Sequence, residues 1–316
     1  MFLALLPIAQ AQSNPSLPQG GGLTSGDSAV VTLSKRVDEV DVLFTAWNRH
    51  HNAVTDLSSD EVQIFDNSKI PSSIVHFESR TDLPLRVGVV IDRSDSVAQR
   101  FAFEKDFASS LLQNLLNPTQ DLGFVIGFND VAQVAQGLTG NVSKLTMALR
   151  ELENGGATAI YDAVLRACQI LQETRDVAPA RKVLILITDG DDNQSVSSEN
   201  DAIDVAVRAN AVVFVVFTAV VDDNFSPPPS HYRLMKKLAE ETGGEILLGD
   251  KKSRLQKAFE KIETTLRSQY MIAYKPPAGF LPDGSYRKIK LECKRHGIHL
   301  FYRRGYYSRV WANSRY

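Results

Sequence analysis

The chain has 316 residues, of which 43% are hydrophobic, and its formal net charge is -2 at pH 7. This length allows two domains, or one large domain with additions, and the apolar fraction is sufficient for a sizeable core. The small net charge excludes a general electrostatic attraction to nucleic acid or to acidic membranes. The two cysteines, Cys168 and Cys293, form neither a metal motif nor a disulfide framework, so we expect buried thiols.

Residues 1–11 form a short apolar run that ends in Ala9-Gln10-Ala11. The run resembles the hydrophobic region and cleavage site of a secretory signal peptide, although the positively charged start is missing. The alternative is an unstructured apolar tail. The run is too short to span a bilayer, so we expect an extracytoplasmic protein that is periplasmic, secreted or at the cell surface. Residues 12–28 are rich in Gly, Ser, Pro and Gln, which predicts a disordered linker.

Residues 29–80 are predicted to be an N-terminal β segment. Short segments of alternating apolar and polar residues, separated by polar turns, are typical of antiparallel strands. These segments are Val30–Leu33, Val37–Trp47, Val62–Phe65 and Ile74–Phe77.

Residues 84–268 are predicted to be an α/β domain, because strands and helices alternate along the chain. The predicted strands are Val87–Asp92, Leu122–Phe128, Val131–Leu138, Val183–Thr188, Val212–Ala219 and Gly244–Leu248. The predicted helices begin near Val97 and then cover Leu145–Leu152, Ile160–Leu171, Asp201–Asn210, His231–Thr242 and Lys252–Leu266. Such alternation predicts a Rossmann-like, doubly wound and mostly parallel sheet with helices on both faces. The segment Val131–Leu138 is expected to form an antiparallel edge hairpin.

Residues 269–309 contain three further predicted strands, which are Tyr270–Tyr274, Tyr286–Cys293 and Ile298–Tyr302. Three strands are too few for an independent core. We therefore expect them to complete the sheet that residues 29–80 begin, so that the α/β domain is inserted between two halves of a small antiparallel β domain.

Polar side chains follow the predicted parallel strands at the points where those strands end. Asp92, Ser94 and Ser96 alternate after the first strand, Thr158 follows a Gly-Gly turn, and Asp189 ends the strand Val183–Thr188. Open α/β sheets bind ligands at the carboxyl ends of their strands. Carboxylates and hydroxyls are hard oxygen ligands suited to Mg2+ or Mn2+. In the alternative interpretation, these side chains only cap helices and satisfy the backbone of turns.

The three motifs, taken together, resemble the metal-ion-dependent adhesion site of von Willebrand factor type A domains. The resemblance covers roughly Leu85 to Ser268, and it implies that a divalent cation, Mg2+ or alternatively Mn2+ or Ca2+, is bound by five residues. These are Asp92, Ser94, Ser96, Thr158 and Asp189. It also implies that a carboxylate from a protein partner takes an open position on the ion. The flanking β segments are similar to those of acidobacterial proteins that carry such a domain.

Two positions depart from the family pattern, since Asp95 replaces a small residue and Val97 replaces a Met. Together with Arg93 and Asp191-Asp192, Asp95 surrounds the site with charge. We interpret Asp95 and Asp191 as solvated loop residues. The alternative is that they increase the affinity for the cation or bind a second ion.

The sequence therefore predicts an exported, cation-dependent protein-binding module of the adhesion type. Two alternatives remain: a structural component of an envelope assembly with a stabilising ion, and a metal-assisted hydrolase. We expect no enzymatic activity, because no nucleophile elbow, phosphate loop or general base is found. The segment from Tyr286 to Arg309 is basic and could contact an anionic surface weakly, although edge strands commonly carry such residues. His296 and His299 are three apart and would face opposite sides of a strand, so we expect no zinc site there.

Overall fold

The structure is a computed structural model, and it describes residues 39–50, 52–79, 83–174, 180–220 and 229–308. The predicted signal peptide 1–11, the linker 12–28 and the strand Val30–Leu33 lie outside the described residues. Of the helices in the described part of the chain, none is both long enough and apolar enough to cross a membrane.

The described chain begins with three strands, β1 (Val40–Asn48), β2 (Val62–Asp66) and β3 (Ser73–Ser79). The next part holds strands β4 (Leu85–Asp92), β5 (Leu122–Phe128), β6 (Ala132–Thr139), β7 (Arg181–Thr188), β8 (Ala211–Phe217) and β9 (Ile246–Leu248). Its helices are α1 (Phe101–Leu115), α2 (Val142–Glu151), α3 (Ile160–Glu173), α4 (Glu199–Arg208), α5 (Ser230–Thr242) and α6 (Lys252–Arg267). The last strands are β10 (Gln269–Lys275), β11 (Tyr286–Cys293), β12 (Ile298–Tyr302) and β13 (Gly305–Tyr307).

The central sheet has six strands in the order β6-β5-β4-β7-β8-β9. All neighbours in it are parallel except β5 and β6, which form the predicted antiparallel edge hairpin. Side chains on β7 alternate between two hydrophobic clusters: Ile185 joins the cluster beneath α1, α2 and α6, and Leu184 joins the one beneath α3, α4 and α5. Both faces of the strand are therefore buried, which explains its uninterrupted apolar sequence. The predicted doubly wound α/β fold is confirmed.

The remaining strands form two antiparallel sheets, with the orders β12-β1-β10-β3 and β13-β11-β2. Each sheet contains strands from both ends of the described chain, so β1 pairs with β10, and β2 pairs with β11. The prediction of a single completed sheet is wrong in this respect, because the strands are divided between two sheets. The two sheets share one core, in which Phe44 of β1 and Ile64 of β2 are both buried.

Helix α1 begins later than the sequence predicts. A 3-10 turn covers Asp95–Val97, and the α-helix itself starts at Phe101. Val97 is fully buried and packs in the same cluster as Phe101. The side chain of Val97 therefore anchors the loop in the core before the helix starts. This anchor holds the polar residues on either side of it in place.

Candidate functional site

Asp92 and Asp189 end two neighbouring parallel strands. β4 and β7 pair in register up to Ile91 and Ile187, so the polar residues that follow reach the same edge of the sheet. Asp92 is fully buried and Asp189 is 9% exposed. Two carboxylates are therefore held close together at the carboxyl edge, where an open α/β sheet binds its ligands.

The carboxylate of Asp92 accepts a hydrogen bond on each oxygen. The backbone N–H of Ser94 donates to Oδ1 at 2.9 Å, and the hydroxyl of Thr188 donates to Oδ2 at 2.7 Å. Burial nevertheless raises the pKa of Asp92 to about 6, because the loss of solvation outweighs these bonds and the negative charge of Asp189 adds to it. A cation at this edge would favour the ionised form of Asp92.

The hydroxyls of Ser94 and Ser96 lie 3.0 Å apart and hydrogen bond to each other. Ser94 is the residue before the 3-10 turn, but its side chain makes no capping bond to that turn. Its hydroxyl is therefore not used to satisfy the turn backbone. Ser94 is buried whereas Ser96 is exposed, so the pair leads from the buried carboxylate of Asp92 towards solvent.

The loop that carries Thr158 is bound to the loop that follows β4. Asp95 N donates to the carbonyl of Gly156 at 3.0 Å, and Gly155 N donates to the carbonyl of Arg93 at 2.6 Å. Both glycines have positive φ angles, 145° for Gly155 and 96° for Gly156. These conformations disfavour other residues, which explains the Gly-Gly pair before Thr158.

Thr158 is also bound to the loop that follows β7. Its backbone carbonyl accepts hydrogen bonds from the N–H groups of Asn193 and Gln194, both at 3.0 Å, and its N–H donates to Asn193 Oδ1 at 3.0 Å. Asp192 contributes to the same junction, because its Oδ2 accepts from the N–H of Ile160, the first residue of α3, at 2.7 Å. Three distant parts of the chain are thus joined by backbone hydrogen bonds around one edge of the sheet. The structure brings the five predicted residues into these three joined segments.

Sequence reasoning missed two residues at this edge, Arg100 and Glu104. Arg100 Nη2 lies 3.3 Å from Asp189 Oδ2, and Arg100 Nε lies 3.5 Å from Glu104 Oε1. Glu104 is fully buried. Burial raises the pKa of Glu104 to about 7, although the guanidinium of Arg100 acts in the opposite direction. The signal in the sequence was the spacing of four residues, which places opposite charges on one face of a helix.

The donor set at this edge fits a hard divalent cation. Asp189 Oδ1 is buried and has no hydrogen-bond partner among the described residues. Buried carboxylate oxygens are rarely left without a donor or an ion. The neighbouring groups are hydroxyl and carboxylate oxygens, the ligand type that Mg2+, Mn2+ and Ca2+ prefer. Across the described ranges, no group of three or more His, Cys, Asp or Glu residues is placed to hold a metal ion, so any site here depends on hydroxyls.

The charged residues around the edge have different environments. Asp95 and Asp191 are exposed. Arg93 is held away from the carboxylates, because its Nη2 donates to Asn129 Oδ1 at 3.1 Å and its Nη1 donates to the carbonyl of Glu153 at 3.3 Å. Among the arginines that the structure describes, Arg100 is the one whose guanidinium reaches the carboxylate of Asp189.

Part of the basic segment near the C-terminus is engaged in internal ion pairs. Arg287 binds the buried carboxylate of Asp66, and Arg295 binds both Glu61 and Asp56. These pairs neutralise two of the positive charges that could contact an anionic surface. The cysteines differ in burial: Cys168 is buried and its pKa is raised to about 12 by that burial, whereas Cys293 is partly exposed.

A comparison with models of known protein families finds one match. Residues 87–191 match the family model of the von Willebrand factor type A domain. The match supports a von Willebrand factor type A domain in this part of the chain, and it includes the Asp92, Thr158 and Asp189 segments. A search of curated proteins found no match.

Several solved structures resemble the chain. One is a von Willebrand factor type A protein from Catenulispora acidiphila, with 15% identity, covering 82% of this chain and 76% of that one, at a TM-score of 0.49. Another is the conserved hypothetical protein BatB from Bacteroides thetaiotaomicron, with 20% identity, covering 58% of this chain and 100% of that one, at a TM-score of 0.46. A third is the PilB minor pilin from Streptococcus sanguinis, with 16% identity, covering 59% and 62%, at a TM-score of 0.46.

Proposed function

We propose that the protein is a divalent-cation-dependent protein-binding module of the adhesion type. In this proposal a cation, Mg2+ or alternatively Mn2+ or Ca2+, is held by Asp92, Ser94, Ser96, Thr158 and Asp189. A carboxylate of the partner protein completes its coordination. Domains of the von Willebrand factor type A family are commonly protein-interaction modules, which supports this class of function.

The observation that carries the proposal is the unpartnered Oδ1 of Asp189 beside the buried carboxylate of Asp92. A buried carboxylate oxygen without a donor costs about 1–3 kcal/mol or more. The neighbouring hydroxyls of Ser94 and Ser96 bind each other rather than a turn. If these polar groups only satisfied the turn backbone, as Asp92 Oδ1 does with Ser94 N, neither feature would be expected.

The role of each group follows from its charge and position. Asp92 and Asp189 supply negative charge, directly or through water, while Ser94, Ser96 and Thr158 supply neutral hydroxyls. A bound cation would be a Lewis acid whose positive charge is not fully neutralised by these ligands. It would therefore favour a carboxylate of the partner protein as a further ligand. Ser96 is exposed at this edge, so a partner can approach from solvent.

Calorimetric titration with Mg2+ and Mn2+ tests the ion site. We expect binding heat from the wild type and none from Asp92→Ala. Asp191→Asn is the matched control, because Asp191 lies two residues after Asp189 but is exposed. Its loss of charge should leave binding nearly unchanged. Equal heats from wild type and Asp92→Ala would reject the proposed site.

Partner capture tests the interaction function. The protein is immobilised and exposed to an envelope extract in Mg2+, in EDTA, and in EDTA followed by excess Mg2+. The proposal predicts that a captured protein is lost in EDTA and recovered when Mg2+ is restored. Capture that survives EDTA would contradict it.

The alternative of a structural component with a stabilising ion also has a specific observation in its favour. The loops at the proposed ion site are joined to each other, since Asp95 N donates to the carbonyl of Gly156 and Asn193 N donates to that of Thr158, so an ion there would strengthen an existing junction. Thr158→Ala separates the two functions. It should abolish partner capture if the ion is part of an interface, and should lower only the melting temperature if the ion stabilises the fold.

We further propose an extracytoplasmic location, because residues 1–11 resemble a secretory signal. The test is fractionation of cells expressing the full chain, followed by N-terminal sequencing of the mature protein. A start just after Ala11 in the periplasmic or external fraction is expected. A protein that keeps residues 1–11 and stays in the cytoplasm would contradict this part of the proposal.

A further inference from the structure

Arg100 contacts the carboxylate of Asp189 through Oδ2, whereas Oδ1 has no hydrogen-bond partner among the described residues. Its Nη2 lies 3.3 Å from Asp189 Oδ2, and both side chains are mostly buried, with 16% and 11% of their area exposed. Arg100 precedes α1 by one residue, so the loop that carries Ser94 and Ser96 leads directly to it. The guanidinium therefore provides positive charge to the same carboxylate that the proposed cation uses.

Glu104 gives the same guanidinium a second acceptor. It lies four residues after Arg100, on the first turn of α1, and its Oε1 is 3.5 Å from Arg100 Nε. The side chain of Glu104 is fully buried, and neither of its oxygens has a partner in good hydrogen-bond geometry within the described ranges, although the hydroxyl of Thr218 is near enough to lower its pKa. A buried carboxylate of this kind depends on a nearby positive charge. Arg100 thus lies between two carboxylates, neither of which is fully satisfied by it.

The balance of charge suggests competition between Arg100 and the cation. Asp92, Asp189 and Glu104 carry up to three negative charges at the buried edge, and Arg100 carries one positive charge. A divalent ion that binds Asp189 adds two positive charges close to the guanidinium, and like charges this close repel each other in a poorly solvated site. Asp189 therefore cannot bind the guanidinium of Arg100 and the divalent ion equally well at the same time.

We propose that Arg100 is a built-in counter-cation for Asp189, which a divalent ion must displace, and that Glu104 receives the displaced guanidinium. This inference rests on the proposed function and identifies the residues that set the affinity of its ion site. Arg100 lowers the affinity of the free protein for the ion. A partner carboxylate adds negative charge and so restores the affinity for the ion. The ion and the partner are therefore bound together rather than separately.

The proposal predicts opposite effects at the two positions. Arg100→Gln removes the competing charge and should increase the Mg2+ affinity at least about tenfold, because a unit charge near a divalent ion acts strongly in a poorly solvated site. Glu104→Gln removes the alternative acceptor, so the guanidinium is held by Asp189 alone and the Mg2+ affinity should fall several-fold. Two residues that merely stabilised the loop would both lower the affinity when substituted.

The experiment is calorimetric titration of the full chain with Mg2+ alone, for wild type, Arg100→Gln, Arg100→Lys and Glu104→Gln. Arg100→Lys is the matched control, because it keeps the charge but loses the planar fork of the guanidinium. Its affinity should stay within about threefold of the wild type. Melting temperatures in EDTA confirm that each variant is folded. If Glu104→Gln does not fold, the Mg2+ affinities of Arg100→Gln and Arg100→Lys still show whether the charge at position 100 competes with the ion.

The outcomes distinguish this inference from the proposed function. Tighter binding by Arg100→Gln than by wild type and Arg100→Lys supports the inference. Measurable binding by the wild type with an equal or weaker affinity in Arg100→Gln overturns the inference and leaves the ion site intact. An equal gain in Arg100→Lys also overturns it, because charge would then not be the cause. No binding by any of the four proteins overturns both.

Discussion

The hydroxyl of Thr188 donates a hydrogen bond of 2.7 Å to Asp92 Oδ2, and so joins the ends of two neighbouring parallel strands. The same hydroxyl accepts from the N–H of Gly190 at 3.0 Å. Gly190 has a φ of 85°, a left-handed conformation that turns the chain directly after Asp189. A single side chain thus fixes Asp92 and the turn beyond Asp189 relative to each other.

We expect Thr188→Val to lower the free energy of unfolding by about 2 kcal/mol at pH 8 without added cation, because it removes the donor to a buried, ionised carboxylate. The loss should be smaller at pH 5, where Asp92, with a pKa of about 6, is mostly protonated. Urea unfolding at the two pH values measures both quantities. Thr188→Ser keeps the hydroxyl and should lose less than Thr188→Val at pH 8. A loss in Thr188→Ser with little change in Thr188→Val would mean that packing of the methyl group, which Val retains, matters more than the hydrogen bond.

Glu104 should make the stability of the protein fall as the pH rises. Its pKa is raised from 4.5 to about 7 by burial, so the folded state retains a proton that the unfolded state releases at lower pH. The stabilisation that follows is complete below pH 4.5 and is lost as the pH rises through 7, by on the order of 3 kcal/mol. Glu104→Gln removes this dependence. The measurement is urea unfolding in EDTA from pH 4.5 to pH 8, with the difference between wild type and variant plotted against pH. A constant difference would show that Glu104 does not titrate in this range.

The sequence was sufficient to predict the strands of the α/β domain because their patterns are local. The segment Val183–Thr188 is apolar without interruption, which indicates a strand covered on both faces, and the structure has it as β7. Asp92 and Asp189 could be assigned to one edge since both end such strands. Whether they bind an ion stays a prediction.

Other features depend on contacts that the sequence does not contain. Arg100 and Glu104 resemble an ordinary surface ion pair of a helix, and only the packing of α1 over the end of the sheet buries Glu104. The division of the antiparallel strands between two sheets depends on pairing across more than 200 residues, as between Val42 and Ile272. The strand Gly305–Tyr307 is too short for a pattern to indicate it.

The two ends of the described chain are joined by a buried carboxylate, that of Asp66. Its Oδ2 accepts from the hydroxyls of Tyr274 at 3.1 Å and Tyr306 at 2.8 Å, and its Oδ1 accepts from Arg287 Nε at 2.8 Å. We expect Asp66→Asn to lower the free energy of unfolding by about 3 kcal/mol, because it leaves the mostly buried guanidinium of Arg287 without its counter-charge. Chemical unfolding followed by tyrosine fluorescence measures this.

Arg295→Gln is a suitable comparison for Asp66→Asn. Arg295 also spans the two halves, through ion pairs with Glu61 at 2.8 Å and Asp56 at 2.8 Å, but these pairs are solvated. Arg295→Gln should lower the free energy of unfolding clearly less than Asp66→Asn does, because exposed ion pairs contribute little to stability. Equal effects of the two substitutions would contradict the view that burial makes Asp66 important.

Gly243 is a close contact between the α/β domain and the β strands. It ends α5 in a left-handed conformation, with a φ of 88°, and a β-carbon there would lie 2.7 Å from the carbonyl carbon of Tyr302 on β12. We expect Gly243→Ala to lower the free energy of unfolding by more than the cost of about 1 kcal/mol that a left-handed alanine carries by itself. The matched control is Gly279→Ala, because Gly279 has a φ of 82° and nothing within 4 Å of the added carbon. Gly279→Ala should show the backbone cost alone. Urea unfolding of both variants gives the difference between their stability losses, which measures how tightly α5 and β12 pack. Losses of the same size would mean that the backbone at this contact shifts to accommodate the added carbon.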